Sequence, residues 1–290
     1  MCFIIVSLFI STLILHVSGR NPALRIVGGS NVGENELPYV ARIQIKLSIY
    51  QSPGIISKIR ELHGCTCAIL KPTWTLTAAH CISPQDLKIK GSFEKNGRIV
   101  KYKFKISHGP FEKNITNKII EWMQHPAYKL VSHPTHVMSA SNDIGLIKTE
   151  EIILTQYGHI SAMDHTSLLG SEATATGYGL MKVEGEFADA TSFGKPLQKL
   201  DVVVIKCSPS HTYVRPGLCI ARRCGKLFSV TCPGDSGGPL VHPSGIIAVD
   251  SAGPSSGCYS SVEVQSFDMG IFTPISPYID WISDVMNKDT

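Results

Sequence analysis

A serine set between glycines is the first residue of this sequence that is suited to chemistry. Ser236 lies near the centre of TCPGDSGGPL, the stretch from Thr231 to Leu240. A serine hydroxyl is a weak nucleophile at neutral pH unless a base stands within hydrogen-bond reach. Glycines on both sides let the loop take backbone conformations that other residues avoid. Chemistry at Ser236 therefore requires a histidine and an acid elsewhere in the chain.

Two suitable partners precede Ser236. His80 lies in TLTAAHC and Asp143 lies in SNDIGLIK. A histidine can take the proton of the serine and return it to a leaving group, and an acid can hold the imidazole in the required tautomer. Each residue alone has an ordinary interpretation, as a surface histidine, a turn aspartate or a loop serine. Their order and their local contexts together favour a catalytic set.

The stretch around Ser236 also fits G-x-S-x-G, the nucleophile elbow of α/β-hydrolases. That fold needs the order serine, acid, histidine, yet the only later histidine is His242, too near to be a distant third member. The regular helices of an α/β fold are also missing. Short β-branched runs at 75–77, 144–148, 200–205 and 245–249 stand between turn residues. This pattern predicts an all-β protein of sandwich or barrel type.

One helix is predicted at the C-terminal end of the chain. Ser276 can cap it, and Pro277 suits its first turn. Four apolar side chains then fall on one helical face, namely Ile279, Ile282, Val285 and Met286.

The composition is that of a globular protein with enough apolar residues for a full core. Of the 290 residues, 43% are hydrophobic and 17% are charged. The formal net charge of +4 falls to +2 when a segment containing Arg20 and Arg25 is removed. This balance gives no reason to expect nucleic acid or a charged membrane as the main partner.

The N-terminus predicts a secretory signal peptide over residues 1–19. Residues 3–17 are mostly apolar, and Val17 and Gly19 meet the small-residue rule for cleavage after Gly19. The alternative is a transmembrane anchor, but the apolar run is shorter than the about 20 residues that a span needs. We therefore expect a secreted, extracellular protein without a stable membrane span. Asn114 opens a glycosylation sequon, Asn-Ile-Thr, which secretion would make available for modification.

The order His80, Asp143, Ser236 resembles the chymotrypsin–trypsin family of serine endopeptidases. Four motifs agree in order, RIVGG, TAAHC, NDIGLIK and GDSGGP, and the resemblance runs from Ile26 to about Asn287. It implies one trypsin-like peptidase domain over 26–290. That domain would contain two six-stranded antiparallel β-barrels that divide near residue 146, a catalytic cleft between them and a C-terminal α-helix.

The resemblance also implies the roles of the site residues. Ser236 would be the nucleophile, His80 the general base and acid, and Asp143 the group that fixes the His80 tautomer. The N–H groups of Gly234 and Ser236 would form the oxyanion hole. No cofactor and no metal are expected. The expected partners are protein or peptide substrates, an activating protease and protein protease inhibitors.

The stretch RIVGG resembles the activation site of the precursors in this family. Cleavage after Arg25 would remove a propeptide of residues 20–25 and create a new α-amine on Ile26. By resemblance, that amine would pair with Asp235, the residue before the nucleophile. Because the cut follows an arginine, the activator would be trypsin-like. The alternative is that RIVGG is simply the start of a β-strand.

The primary substrate pocket is also assigned by resemblance. Its base would be Val230, and no Asp or Glu occurs between Cys219 and Cys232. Gly253 and Gly270 would form its walls, while the neighbouring Ser251 would support Asp143. An apolar base with open walls predicts cleavage after large hydrophobic residues. The basic residues of the preceding loop leave acidic side chains as an alternative, namely Arg222, Arg223 and Lys226.

Cysteine content predicts disulfides, because eight cysteines remain once the signal peptide with Cys2 is removed. Eight cysteines allow 105 pairings in principle. The resemblance implies three of them, Cys65–Cys81, Cys207–Cys219 and Cys232–Cys258. Cys67 and Cys224 are left to pair with each other, to stay free or to bind another chain.

A second function class stays open from the sequence alone. A catalytically weak or silent homologue would use its loops as a binding module. The intact His80, Asp143 and Ser236 argue against this alternative. Three departures from the family pattern argue for it, namely Pro233, Ala252 and Cys67.

Overall fold

The computed structural model describes residues 29–52, 55–83, 92–95, 98–110, 113, 115–133, 136–179, 196–222, 231–253 and 270–288. The first strands in chain order are β1 (Ser30–Asn31), β2 (Val40–Ser52), β3 (Ile55–Lys71), β4 (Trp74–Thr77), β5 (Ser92–Lys95), β6 (Arg98–His108), β7 (Ile115–Gln124), β8 (Lys129–His133) and β9 (His136–Ser141). They are followed by β10 (Gly145–Thr149), β11 (Glu172–Gly177), β12 (Gln198–Ile205), β13 (Val214–Arg215), β14 (Leu218–Arg222), β15 (Pro239–His242), β16 (Gly245–Ala252), β17 (Gly270–Pro274) and the helix α1 (Ile279–Asn287).

Six strands close the first barrel in the order β2-β3-β4-β10-β7-β6, because β6 pairs back with β2. All of these pairs are antiparallel, and β5 adds a strand beside β6. The predicted strand at 144–148 is β10, at the centre of this sheet. Its Leu146 and Ile147 are both fully buried, which explains its continuous apolar sequence.

Six further strands close the second barrel in the order β12-β11-β15-β16-β17-β14, because β14 pairs back with β12. β1 joins this sheet at β12. Along β12 the side chains of Leu200, Val202 and Val204 are buried, whereas Asp201 between them is exposed. This alternation is typical of a strand with one face in the core. The predicted all-β fold with two six-stranded antiparallel barrels is therefore confirmed.

The C-terminal helix α1 is also confirmed, but its predicted cap is wrong. Ser276 lies in a 3-10 turn, Ser276–Tyr278, that precedes α1. Its hydroxyl accepts a hydrogen bond from the backbone N–H of His165 at 3.0 Å. The 3-10 turn moves the start of α1 beyond Ser276, so the hydroxyl is free to hold His165. Ile282 on the predicted apolar face is fully buried in the cluster that fills the first barrel.

Two of the predicted disulfides are present, Cys65–Cys81 and Cys207–Cys219. The first joins β3 to the 3-10 helix Ala79–Ile82 that carries His80. Cys67 is a free, buried thiol, and burial raises its pKa. A buried neutral thiol behaves as a small apolar side chain. Cys67 is therefore part of the core of the first barrel and not a reactive group.

We expect removal of the Cys65–Cys81 crosslink to lower the free energy of unfolding by about 3 kcal/mol. The disulfide closes a loop with a sequence separation of 16, and the expected value follows from the restriction of the unfolded chain. Denaturant unfolding of the Cys65→Ala/Cys81→Ala double variant measures this loss. Cys67→Ala is the matched control, since it removes a buried sulfur but no crosslink. Equal losses in the two proteins would contradict the expected contribution of the crosslink.

Several predicted features lie outside the described residues and stay predictions. They are the signal peptide over 1–19, the propeptide over 20–25, Ile26, Asn114, Cys224, Val230 and Cys258. Cys232 is disulfide-bonded, but its predicted partner Cys258 belongs to this set. Within the described ranges, no helix combines the length and the apolar character that a membrane crossing requires.

Candidate active site

His80 is held against Asp143 at two points. Its ring Nδ1 lies 2.8 Å from Oδ2 of Asp143, and its backbone N–H donates to Oδ1 at 2.8 Å. The side chain of Asp143 is 1% exposed, whereas that of His80 is 24% exposed. The two contacts fix the position of the ring and direct its other nitrogen, Nε2, away from the acid.

Asp143 is positioned by the short loop between β9 and β10. The preceding Asn142 donates its backbone N–H to the carbonyl of Arg215 at 2.8 Å. The Asn142 side chain accepts a hydrogen bond from the Tyr278 hydroxyl at 3.0 Å. Both contacts come from the second half of the chain. The acid therefore depends on the packing of the two barrels, as expected for a site between them.

The charge of His80 and several hydrogen bonds keep Asp143 ionised despite its burial. Burial raises the pKa of Asp143. The charge of His80 and the hydrogen bonds from His80 and Ser251 lower it by a larger amount, so that the pKa lies below its ordinary value. The Ser251 hydroxyl donates to Oδ2 at 2.6 Å. An ionised carboxylate only accepts hydrogen bonds. The hydrogen of His80 therefore resides on Nδ1, which leaves the lone pair on Nε2, the nitrogen that lies 3.6 Å from Cys81 Sγ.

Ser236 lies in the loop before β15, against β3. Its carbonyl accepts a hydrogen bond from the N–H of Thr66 at 2.9 Å. Thr66 follows Cys65, whose disulfide partner Cys81 is the neighbour of His80. Among the residues that the structure describes, the Ser236 hydroxyl makes no hydrogen bond, to His80 or to any other group. Catalytic hydrogen bonds are often long without substrate and shorten when it binds.

The loop before Ser236 is a type II turn. The N–H of Asp235 donates to the carbonyl of Cys232 at 2.9 Å. Gly234 has φ +99°, and a proline ring holds φ of Pro233 near about −65°. Only the type II turn combines these signs at its two central positions, and it favours proline followed by glycine. Pro233 is therefore compatible with the loop and stiffens it.

Two N–H groups of this loop are free to bind a ligand. The N–H groups of Asp235, Gly237 and Gly238 donate to backbone carbonyls at 2.9, 2.7 and 2.8 Å. Those of Gly234 and Ser236 donate to no other group in the described part of the chain. They are the two donors that the sequence assigned to an oxyanion hole. Within the described residues, the neighbouring N–H groups of the loop are hydrogen-bonded and these two are not.

Two side chains outside the predicted site residues hold the other side of the turn. His63 Nε2 lies 2.9 Å from the carbonyl oxygen of Gly234, and the Thr66 hydroxyl donates to the same oxygen at 2.8 Å. Both side chains come from β3. They fix the orientation of Gly234. No sequence signal separated His63 from other histidines, because its partner lies 171 residues away.

Asp235 is buried inside the nucleophile loop. Its Oδ1 accepts a hydrogen bond from the N–H of Gly179 at 2.7 Å, and its Oδ2 accepts one from Cys232 at 2.8 Å. A side chain at Gly177 or Gly179 would collide with the carboxylate. These glycines thus leave the space that Asp235 fills.

The described residues of the predicted pocket lie around the side chain of Thr231. A Cβ atom added at Gly253 or at Gly270 would lie 2.6 or 2.8 Å from the Thr231 hydroxyl oxygen. The two glycines assigned as pocket walls thus lie near the same side chain, whereas Val230 lies outside the described residues. Asp250, which the sequence analysis overlooked, forms a side-chain hydrogen bond with Thr231. An acid in the otherwise apolar run before Ser251 is the sequence signal that could have revealed it.

One cluster of metal-type donor atoms occurs within the described residues, formed by Cys65, His80 and Cys81. Cys65 and Cys81 are joined as a disulfide and hold no thiolate that could bind a metal ion. The cluster therefore reflects the disulfide beside His80 and not a metal site.

Comparison with known proteins agrees with this geometry. The family model described as Trypsin matches residues 26–282. Granzyme M of Rattus norvegicus is 24% identical over 291 residues, which cover 94% of each chain. Human chymotrypsin-like elastase family member 1 is 26% identical, with 90% of this chain and 92% of that protein covered. Serine protease 1 of Drosophila melanogaster is 28% identical, with 90% and 85% covered.

A solved structure shares the fold. Neuropsin, a serine protease expressed in the limbic system of mouse brain, superimposes with a TM-score of 0.61 at 20% sequence identity. The match covers 90% of this chain and all of that one. The family match spans most of the chain and includes both barrels and all the residues of the candidate site. The chain therefore belongs to the trypsin family of serine proteases.

Proposed function

We propose that this protein is a secreted serine endopeptidase that hydrolyses peptide bonds through an acyl-enzyme. The Ser236 oxygen attacks the carbonyl carbon of the substrate while His80 Nε2 takes its proton. Asp143 accepts the Nδ1 hydrogen and stabilises the resulting imidazolium. The carbonyl oxygen, which now carries the negative charge, accepts hydrogen bonds from the N–H groups of Gly234 and Ser236.

The second half of the reaction returns the site to its starting state. His80 gives its proton to the leaving amine, the C–N bond breaks, and the acyl group stays on Ser236. Water then attacks the ester carbonyl, and His80 Nε2 takes a proton from that water. The C–O bond to Ser236 breaks and the serine oxygen recovers the proton from His80. The products are an amine and a carboxylic acid, and no cofactor is consumed.

The observation that carries this proposal is the contact of His80 with Asp143 at two points. An ordinary surface histidine would not be held by a buried acid that itself accepts a hydrogen bond from Ser251. The free N–H groups beside the nucleophile add independent support. Hydrolysis of peptides by the protein cleaved after Arg25, compared with its Ser236→Ala variant, tests the proposal.

We propose cleavage after large hydrophobic residues. Gly253 and Gly270 support this preference, since neither places a side chain across the pocket. The segment between Cys219 and Cys232 contributes no acid to its base. A panel of peptides that differ only in the residue before the scissile bond measures the preference. Higher kcat/KM for Phe, Tyr or Leu than for Ala or Gly supports it, and equal values would contradict it.

We also propose that the protein is made as an inactive precursor. Asp235 is buried in the loop that carries the nucleophile, and a buried carboxylate is stable only when its charge is compensated. The amine of Ile26, released by cleavage after Arg25, is the cation that the proposal assigns to it. Signal cleavage after Gly19, secretion and glycosylation of Asn114 belong to the same proposal. Disulfides in the described fold support export, because they persist in oxidising compartments.

Arg25→Gln is expected to block activation. A trypsin-like activator does not cut after glutamine, so the treated variant should hydrolyse peptides roughly 10²–10³-fold more slowly than the treated wild type. That range is the usual loss of kcat when one hydrogen-bond donor of an oxyanion hole is removed. N-terminal sequencing and peptide hydrolysis report the result. Arg20→Gln is the matched control and should be activated normally. Full activity of the uncut Arg25→Gln protein would contradict the precursor model.

A further inference from the structure

Asp250 is a buried acid that the proposed reaction does not use. It lies in β16 and is 3% exposed. The next residue, Ser251, directs its hydroxyl to Asp143 at 2.6 Å. The carboxyl group of Asp250 instead forms its side-chain hydrogen bond with Thr231, although Asp143 and His80 lie near enough to act on its charge. It therefore reaches a different part of the cleft.

The contacts of Asp250 lead to the primary pocket. Its carboxyl group forms a hydrogen bond with the side chain of Thr231, which is itself 3% exposed. The Thr231 hydroxyl is also the atom that Cβ atoms at Gly253 and Gly270 would approach to 2.6 and 2.8 Å. The two wall glycines, Thr231 and Asp250 are thus neighbours. This places an acid beside the two glycines that were assigned to the walls of the pocket.

One oxygen of this acid has no partner. Oδ1 of Asp250 is buried and forms no hydrogen bond with any described group. Buried polar atoms of proteins are almost always hydrogen-bonded, and an exception is a candidate for a ligand contact. Asp143, by comparison, has His80 as its charged partner. In the described part of the chain, no cation contacts Asp250.

The charges around Asp250 favour a cation. Burial and the negative charges of Asp235 and Asp143 raise its pKa well above the ordinary value, while His80 and Thr231 lower it. Tyr213 is also near Asp250: burial raises the pKa of that tyrosine, and the charge of Asp250 raises it further. A positive group next to Oδ1 would reverse this effect, because an opposite charge stabilises the ionised form.

We propose that Asp250 lets the primary pocket accept a basic side chain, lysine or arginine, in addition to large apolar side chains. The inference rests on the proposed peptidase function and names a second substrate class for the same site. The ammonium or guanidinium group of the substrate supplies the missing partner of Oδ1. When an apolar side chain fills the pocket, Asp250 stays protonated and adds no buried charge.

The first experiment compares two peptides that differ only before the scissile bond, one with lysine and one with norleucine, its uncharged counterpart. The protein cleaved after Arg25 should hydrolyse the lysine peptide, and Asp250→Asn should lower the lysine-to-norleucine ratio of kcat/KM about 10- to 100-fold. Hydrolysis of a phenylalanine peptide is measured beside them, so that a loss common to all peptides is separated from a loss of lysine cleavage. Asp201→Asn is the matched control, since it neutralises an exposed acid of the same barrel. An unchanged ratio in Asp250→Asn, or no lysine cleavage by the wild type, would overturn the inference.

A pH series adds a second readout that needs no variant. The lysine-to-norleucine ratio should increase with pH, because Asp250 must lose its proton before it can pair with a cation. Any titration that affects both peptides equally cancels in the ratio. A ratio that is constant across the pH range in which activity is measurable would contradict a role for Asp250.

Direct binding separates this inference from the peptidase proposal. Benzamidine carries a cationic amidinium, and benzamide is its neutral counterpart. Calorimetry on the activated Ser236→Ala protein should detect tighter binding of benzamidine, and Asp250→Asn in that background should remove the difference. Equal affinities would overturn the inference even if peptides are cleaved. If benzamidine is preferred but no peptide is cleaved, the peptidase proposal fails and the cation site stands.

Discussion

Ser236→Ala is expected to reduce kcat for peptide hydrolysis by roughly 10⁶-fold, which is the largest effect of any substitution considered. Alanine removes the oxygen that forms the acyl-enzyme, and no other group of the loop can replace it. The N–H of residue 236 and the turn at Gly234 are retained. Substrate binding should therefore persist, with a Kd close to that of the wild type. Steady-state kinetics and equilibrium binding of one peptide measure the two quantities.

The Ser236→Ala substitution is expected to remove the hydroxyl without disturbing the structure of the loop. Ser236 contacts Thr66 through its backbone carbonyl, and its hydroxyl bonds to no described group. The change should consequently leave the free energy of unfolding within about 0.5 kcal/mol. A loss of activity with unchanged stability indicates chemistry at Ser236. If the biological activity of the protein survives the substitution, the alternative of a binding homologue gains support.

Asp143→Asn is expected to lower kcat by roughly 10⁴-fold. The amide oxygen of the new side chain keeps the bond to the His80 backbone N–H, which now reaches Oδ1. Its NH₂ group then faces Nδ1, where Oδ2 stands in the wild type. Nδ1 must accept that hydrogen bond, so the ring hydrogen moves to Nε2. A protonated Nε2 cannot take the proton of Ser236.

Ser251→Ala is the graded control for Asp143→Asn. It removes one hydrogen bond to Oδ2 but retains the charge of Asp143 and the tautomer of His80. Its loss of kcat should be about 10- to 100-fold, the usual range for one hydrogen bond to a charged group. Comparable losses in both variants would indicate that Asp143 acts through local packing and not through the tautomer.

The fold and the chain order of the site residues could be predicted from the sequence, because they depend on local patterns. The succession of β-branched residues in β12 and the continuous apolar run of β10 each predict a strand without knowledge of its neighbours. His80, Asp143 and Ser236 lie in motifs whose order alone distinguishes two families of hydrolase. Such signals survive in a sequence because each is confined to a few adjacent residues.

The residues that the sequence did not reveal depend on contacts between distant segments. His63 and Gly234 are 171 positions apart, and only the folding of β3 against the nucleophile loop brings them together. Asp250 was overlooked because the search for a pocket acid stopped at Cys232, whereas Asp250 lies in β16. Local context predicted Ser276 as the helix cap, but its hydroxyl accepts a long-range hydrogen bond from the backbone N–H of His165.

The central claim is that Ser236 is a nucleophile activated by His80 and Asp143. Its most direct test is reaction of the protein cleaved after Arg25 with a fluorophosphonate, which labels activated serines covalently, followed by peptide mass spectrometry. We predict one phosphonyl group per chain, attached to Ser236, with labelling abolished in Ser236→Ala and strongly slowed in Asp143→Asn. Absence of an adduct at Ser236, with the Ile26 N-terminus correctly exposed, would contradict the account.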